Sequence, residues 1–192
     1  MKKIKFLLII FFVFSSKGLA ENIVPIIEGN KSAKINLVVY ESLTCSHCAN
    51  FHNEVYPLLK KEFIETGLVS IEFRNFPLDL AALNGSKLAH CKNDGNSKIL
   101  HTLYKTQHRW IRGNNILDIN KNLEEVIKEN NLNINMKSCL ENKKTEDHIL
   151  EERIDGSKKY NIQSTPTLII NEEKFDKKLT YKNLEKILKK MI

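Results

Sequence analysis

Ile35-Asn36-Leu37-Val38-Val39-Tyr40-Glu41-Ser42-Leu43-Thr44-Cys45-Ser46-His47-Cys48-Ala49-Asn50-Phe51 is the stretch that decides how this chain is read. Its first six residues are apolar and rich in β-branched side chains, the pattern of a buried strand. A short polar turn leads to two cysteines three residues apart. Cys48, Phe51, Val55, Leu58, Leu59 and Phe63 then fall at helical spacing on one face. Pro57 lies inside that pattern and predicts a kink, and Gly67 ends it. Val69, Ile71 and Phe73 alternate with Ser70, Glu72 and Arg74, a strand with one wetter face. Residues 35–75 therefore predict a βαβ unit with a right-handed crossover and parallel strands. Cys45 and Cys48 sit where its first strand hands over to the helix.

That placement has chemical consequences. Residues three apart in a first helical turn share one side, so Cys45 and Cys48 can close a disulfide. The helix N-terminus offers partial positive charge and free N–H groups, both of which stabilise a thiolate at Cys45. His47, when protonated, adds positive charge beside it. A stabilised thiolate is a good leaving group and makes the disulfide more oxidising. Cys48, one turn deeper, is expected to be less exposed. A single CxxC also admits zinc, with His47 and His52 as further soft ligands, or a purely structural disulfide. No second CxxC exists, and the strand–CxxC–helix context favours redox chemistry with no metal.

Strand signals vanish over residues 79–161, where helical ones take over. Leu80, Leu83, Leu88 and Cys91 suggest one helix, and Ile99, Leu103, Tyr104 and Trp110 a second. Leu123, Val126 and Ile127 suggest a third, Met136, Cys139 and Leu140 a short fourth, and Leu150, Ile154 and Ser157 a fifth ending near Tyr160. Trp110 reads as an inter-helix anchor with a charged rim. The sheet resumes at Thr167-Leu168-Ile169-Ile170, followed by a turn and short edge strand over residues 171–175. Thr180 caps a last helix carrying Leu184, Ile187, Leu188 and Met191 on one face. Ser164-Thr165-Pro166-Thr167 precedes the resumed strand. Pro166 is either a strand-start proline or a cis-proline facing the cysteines; with an upstream CxxC in this element order, the cis-proline is expected.

Residues 40–51, with Phe73-Arg74-Asn75-Phe76-Pro77-Leu78-Asp79 and Ser164-Thr165-Pro166-Thr167, resemble the DsbA family, especially its alphaproteobacterial members. The resemblance spans roughly residues 33–190. It implies an α/β, thioredoxin-like fold over 21–78 and 162–192 with an all-helical insertion over 79–161. It implies a monomeric oxidase that uses the Cys45–Cys48 disulfide and no other cofactor, donates that disulfide to reduced exported proteins, and is recycled by a DsbB-type membrane quinone reductase. Cys45, Cys48 and His47 would be catalytic, Ser46 and Thr165 would tune the redox centre, and Thr165 with Pro166 would bind clients. The commonest dipeptide between the family's cysteines is Pro-His, where this chain has Ser46-His47. Thioredoxin-like proteins often carry a buried acid six residues before the first cysteine; Val39 stands there, and Glu41, the nearest acid, is either its stand-in or a solvated loop residue. An isomerase or reductase, or a non-catalytic peptide-binding module, are the competing readings.

Export follows from the N-terminus. Three lysines in residues 1–5, the nine-residue apolar run Phe6–Phe14 and Gly18-Leu19-Ala20 read as a signal peptide over 1–20. A helix of that apolar length rises only about 14 Å, short of a bilayer's hydrocarbon core, so cleavage after Ala20 is expected, with an uncleaved, strained anchor as the alternative. Losing Lys2, Lys3, Lys5 and Lys17 with no acid takes the net charge from +7 to +3, and the interleaved charges argue against nucleic acid as a partner. A periplasmic location would expose all four cysteines to an oxidising compartment. Cys91 and Cys139 are then either buried thiols or a structural disulfide; the even count and the resemblance both point to the disulfide. His52 reads as a packing or surface histidine, and His90, His101, His108 and His148 as surface residues.

Overall fold

A computed structural model of the chain describes residues 22–192, so the signal peptide read at 1–20 lies outside the described residues. The sheet is built from β1 (Ile26–Gly29), β2 (Ile35–Glu41), β3 (Val69–Asn75), β4 (Thr167–Ile170) and β5 (Glu173–Lys174), in the order β1-β3-β2-β4-β5. β2 and β3 are parallel, with Leu37 opposite Ile71 and Val39 opposite Phe73; the other pairs are antiparallel. β1 is an addition to the sequence reading. It is four residues long and lies at the sheet edge, too short for its alternation to stand out.

The helix after β2 begins as α1 (Ser46–Asn50), passes through a π-helical turn (Phe51–Val55) into α2 (Tyr56–Leu59), and ends in a second π-helical turn (Lys60–Ile64). Pro57 has no N–H to return to the previous turn, and the Tyr56 N–H reaches back five residues to the Phe51 carbonyl. The wider turn shifts the helical phase. Phe51, Val55, Leu59 and Phe63 stay buried, but Leu58, expected on the same face, is 42% exposed.

The insertion comprises α3 (Leu80–Ala89), α4 (Lys98–Lys105), α5 (Gln107–Trp110), α6 (Ile116–Glu129), α7 (Met136–Glu141) and the long α8 (Lys143–Tyr160). α9 (Tyr181–Met191) closes the chain, capped by the Thr180 hydroxyl. The expected α/β fold with an all-helical insertion is present. Trp110 is fully buried and its indole N–H donates to the Leu103 carbonyl at 2.8 Å. The face assigned to the fifth insertion helix needs correction. Ile154 and Ser157 are exposed, while Ile149 and Gly156 are buried. Gly156 lets α8 lie flat on Tyr40, since a Cβ there would come within 2.6 Å of the Tyr40 ring.

The sheet is covered on both faces. Leu37, Val39, Ile71 and Phe73 face the main core with Phe51, Leu59 and Leu184. Tyr40, Phe76, Ile162 and Ile169 form a smaller cluster on the other side. Cys91 follows α3 in the turn after it and is joined to Cys139 of α7, with Cα atoms 5.2 Å apart. Among the described residues no helix is long and apolar enough to cross a membrane.

Candidate active site

β2 ends in the core at Glu41, and the chain turns on a Cys45 N–H to Ser42 carbonyl hydrogen bond of 3.0 Å. Cys45 is the N-cap of α1, with extended backbone angles, and its carbonyl accepts from the Ala49 N–H. The insertion clamps this turn. The Gln107 side-chain amide donates to the carbonyls of Leu43 and Cys45 at 2.8 and 3.0 Å. The Thr44 hydroxyl donates to Asp79, whose other oxygen caps α3 through the Ala82 N–H. Gln107 was not singled out in the sequence; nothing in a lone glutamine 62 residues from Cys45 announces this role.

The two cysteines are unlike. Cys45 is half-buried and Cys48 is fully buried. The Cys48 thiol hydrogen bond is the largest influence drawing Cys45 down to about 5, helped by Thr165 and by the backbone N–H groups of Cys48 and His47, against partial burial. Burial pushes the Cys48 thiol far above the ordinary range, and the neighbouring Cys45 and Glu41 push it further. Thr165 meets Cys45 in two ways. In the thiol form the sulfur donates to the Thr165 carbonyl 3.3 Å away. The Thr165 hydroxyl is buried without a hydrogen-bond partner, and Thr165 is among the groups that lower the Cys45 thiol.

The Thr165–Pro166 peptide bond is cis. His47 and Pro166 border one groove together with Phe51, Leu179 and Tyr181. Ser46 and His47 are exposed at the start of α1. Cys45, Cys48, Ser46, His47, Thr165 and Pro166 thus converge, whereas Cys91 and Cys139 lie apart in the insertion.

Three histidines expected at the surface are not there. His52, left open between packing and surface, is buried, and its Nε2 pairs with Glu41 Oε2 at 2.7 Å. Glu41 itself is 4% exposed, so it is no solvated loop acid. Burial raises the Glu41 carboxyl well above the carboxylate range and lowers His52 to about 3; the pair is a neutral hydrogen bond. His101 is half-buried, with Nδ1 3.0 Å from His52 Nδ1 and Nε2 2.6 Å from Glu28 Oε1. His90 is buried beside half-buried His148. The Asn75 amide donates to His90 Nε2 at 2.9 Å and to Glu152 Oε2 at 2.7 Å, and His148 Nε2 lies 3.4 Å from Glu152 Oε1. That second cluster joins the end of α3 and α8 to the end of β3 through Asn75, while His90 Nδ1 and His148 Nε2 are buried without a hydrogen-bond partner; His90, His148 and Glu152 each bring a ligand atom within 4.8 Å of the others. His108 alone of the four is exposed.

Comparison with known proteins gives a consistent result. The profile of a family described as thioredoxin matches residues 21–190. A putative protein-disulfide oxidoreductase of Rickettsia bellii is 40% identical over 84 residues, 43% of this chain. The matched stretch spans only 32% of that relative's length. Disulfide bond formation protein D of Bacillus subtilis is 25% identical over 173 residues, covering 84% of this chain and 74% of the relative. The crystal structure of Wolbachia pipientis alpha-DsbA1 superposes with a TM-score of 0.78 at 27% identity, over 87% of this chain and 90% of that one.

Proposed function

We propose that this chain, which belongs to the thioredoxin family and within it is DsbA-like, is a protein thiol–disulfide oxidoreductase that donates the Cys45–Cys48 disulfide to reduced, exported proteins. The observation that carries this reading is the asymmetry of the two sulfurs. Cys45 is reachable and held as a thiolate, while Cys48 is sealed in the core and kept as a thiol.

A client thiolate attacks Cys45 Sγ, and the Cys45–Cys48 bond breaks with its electron pair moving to Cys48. A second client thiolate attacks the client sulfur of the mixed disulfide, and Cys45 departs as a thiolate. The client loses two electrons as one disulfide forms, and the cysteine pair gains them, so no other cofactor is required. Everything that stabilises the Cys45 thiolate drives this direction. Glu41 serves as the buried acid beside Cys48. An extended client segment lies along the groove beside Pro166, where the backbone of Thr165 offers sequence-independent hydrogen bonds. The setting is the periplasm, with a DsbB-type quinone reductase restoring the disulfide.

Mixing oxidised protein with a reduced, unfolded client and trapping free thiols over time tests the proposal. One client disulfide should appear for each Cys45–Cys48 disulfide lost, and Cys45→Ala should abolish transfer. Oxidation of the client at equal rate by the Cys45→Ala variant would refute it.

A further inference from the structure

We infer that His90, His148 and Glu152 form a binding site for one zinc ion, which staples the helical insertion to the sheet. The site stands apart from the redox reading, since it uses none of the reacting groups. His148 and Glu152 are four residues apart on α8 and so share one face of that helix. His90 is the C-cap of α3, and the adjacent Cys91, bonded to Cys139, pins that helix end. The rings of His90 and His148 meet edge to face with centroids 5.5 Å apart. One ligand atom from each of the three residues lies within 4.8 Å of the other two.

Protein groups alone leave this cluster unfinished. His90 is 3% exposed, and its Nδ1, like His148 Nε2, is buried with no hydrogen-bond partner. Buried polar atoms are nearly always paired, and two orphans in one cluster call for a further species to complete them. His148 Nε2 lies 3.4 Å from Glu152 Oε1. That pair makes no hydrogen bond, yet its spacing is close to the roughly 3.3 Å between two ligands of a tetrahedral ion with bonds near 2.0 Å. Glu152 Oε2 is already taken, accepting from the backbone N–H and the side-chain amide of Asn75, each at 2.7 Å. Oε1 is therefore the oxygen left for an ion, on a carboxylate oriented by outer donors as metal-bound carboxylates are. The Asn75 amide also donates to His90 Nε2 at 2.9 Å, the one bond that coordination through that nitrogen displaces.

The donor set selects the ion. Two imidazoles and one carboxylate suit zinc, whereas calcium and magnesium take shells of oxygen. The His148 side chain is one-quarter exposed, so an ion can enter from solvent and a water can fill the fourth position. The bound ion would join α3 to α8 directly and, through Asn75, to the end of β3. Just beyond Asn75, the Phe76 N–H donates to the Glu41 carbonyl at 2.7 Å and the Leu78 N–H to the Ser42 hydroxyl oxygen at 3.3 Å. The stapled joint is thus one short segment away from the turn that carries Cys45. An ion held only by the folded chain raises its stability in proportion to occupancy.

The test titrates zinc into untagged protein whose Cys45–Cys48 pair is oxidised, so that neither thiol can bind metal, and follows heat and unfolding midpoint. One zinc per chain should bind and raise the midpoint, while calcium and magnesium at the same concentration should do neither. His148→Gln should weaken zinc by at least about 100-fold, because even the outer partners of a metal site contribute about 10- to 100-fold. Since His148 Nε2 makes no hydrogen bond, that variant should unfold with the wild-type protein when a chelator is present. Glu152→Gln, which keeps an oxygen for Asn75, should weaken zinc as well. His108→Gln, at an exposed histidine outside the cluster, should bind like the wild type. No zinc binding by the wild-type protein overturns the site. So does wild-type affinity in both cluster variants, or a loss of affinity in His108→Gln as large as theirs.

Discussion

Replacing His47 by proline removes two things from Cys45: an imidazole, and the backbone N–H that helps hold the thiolate. His47→Ala removes only the first. Proline is tolerated in a first helical turn, where that N–H has no partner within the helix, so α1 should persist. A hydrogen bond to a charged group contributes about 1.5–3 kcal/mol, and at a half-exposed sulfur the lower end applies. One pKa unit corresponds to about 1.4 kcal/mol. His47→Pro should therefore raise Cys45 from about 5 by roughly one unit or a little more, and His47→Ala should move it less. While the new value stays below 7, the whole loss appears in the redox couple, where 1.4 kcal/mol equals about 30 mV. The assay is thiolate absorbance and alkylation rate of the reduced protein across pH, with the potential read against glutathione buffers. Both variants titrating with the wild-type protein would refute the reasoning, and would shift the thiolate's support to Thr165 and the Cys48 thiol.

Cys91→Ser should lower thermal stability while leaving client oxidation measurable, because the bridge closes a loop of 48 residues far from the sulfurs that react; the chain-entropy model gives about 4 kcal/mol, read by denaturant unfolding. Gln107→Leu leaves the carbonyls of Leu43 and Cys45 without their donor and should destabilise by about 1–3 kcal/mol while broadening the Cys45 titration. Gly156→Ala gains helix propensity but drives a methyl group into the Tyr40 ring, so calorimetry should show a net loss, the overpacking penalty of about 1–3 kcal/mol prevailing. The folded-state pKa of Cys45 is depressed, so its contribution to the stability of the reduced protein is present above the unfolded thiol's value, about 8.5, and is lost as pH falls through about 5. The gap in unfolding midpoint between reduced and oxidised protein should therefore shift against the reduced form as pH drops from 8 to 5, then level off.

The fold was legible where local pattern and chemistry coincide. Residues 35–51 and 164–170 are continuous runs whose periodicity, cysteine spacing and proline leave few arrangements. What escaped depends on partners distant in the chain. His101 reads as a surface residue until β1, itself too short to recognise, brings Glu28 to it across 73 positions. Glu41 and His52 are only 11 apart, but a carboxyl at a strand end and a histidine on a helix carry no mark of facing each other. The exposed Leu58 has a local cause that a fixed period of 3.6 residues cannot see, since the π-helical turns around Pro57 rotate the faces. In α8 the buried stripe runs through Ile149 and Gly156, and a glycine contributes nothing to an apolar pattern.

The reduction potential of the Cys45–Cys48 pair, equilibrated with glutathione and read by thiol trapping, tests the central claim most directly. A disulfide donor whose outer cysteine sits at about 5 should be more oxidising than the glutaredoxins, above about −200 mV. A value near that of thioredoxin, about −270 mV, would contradict the account and make the protein a reductant.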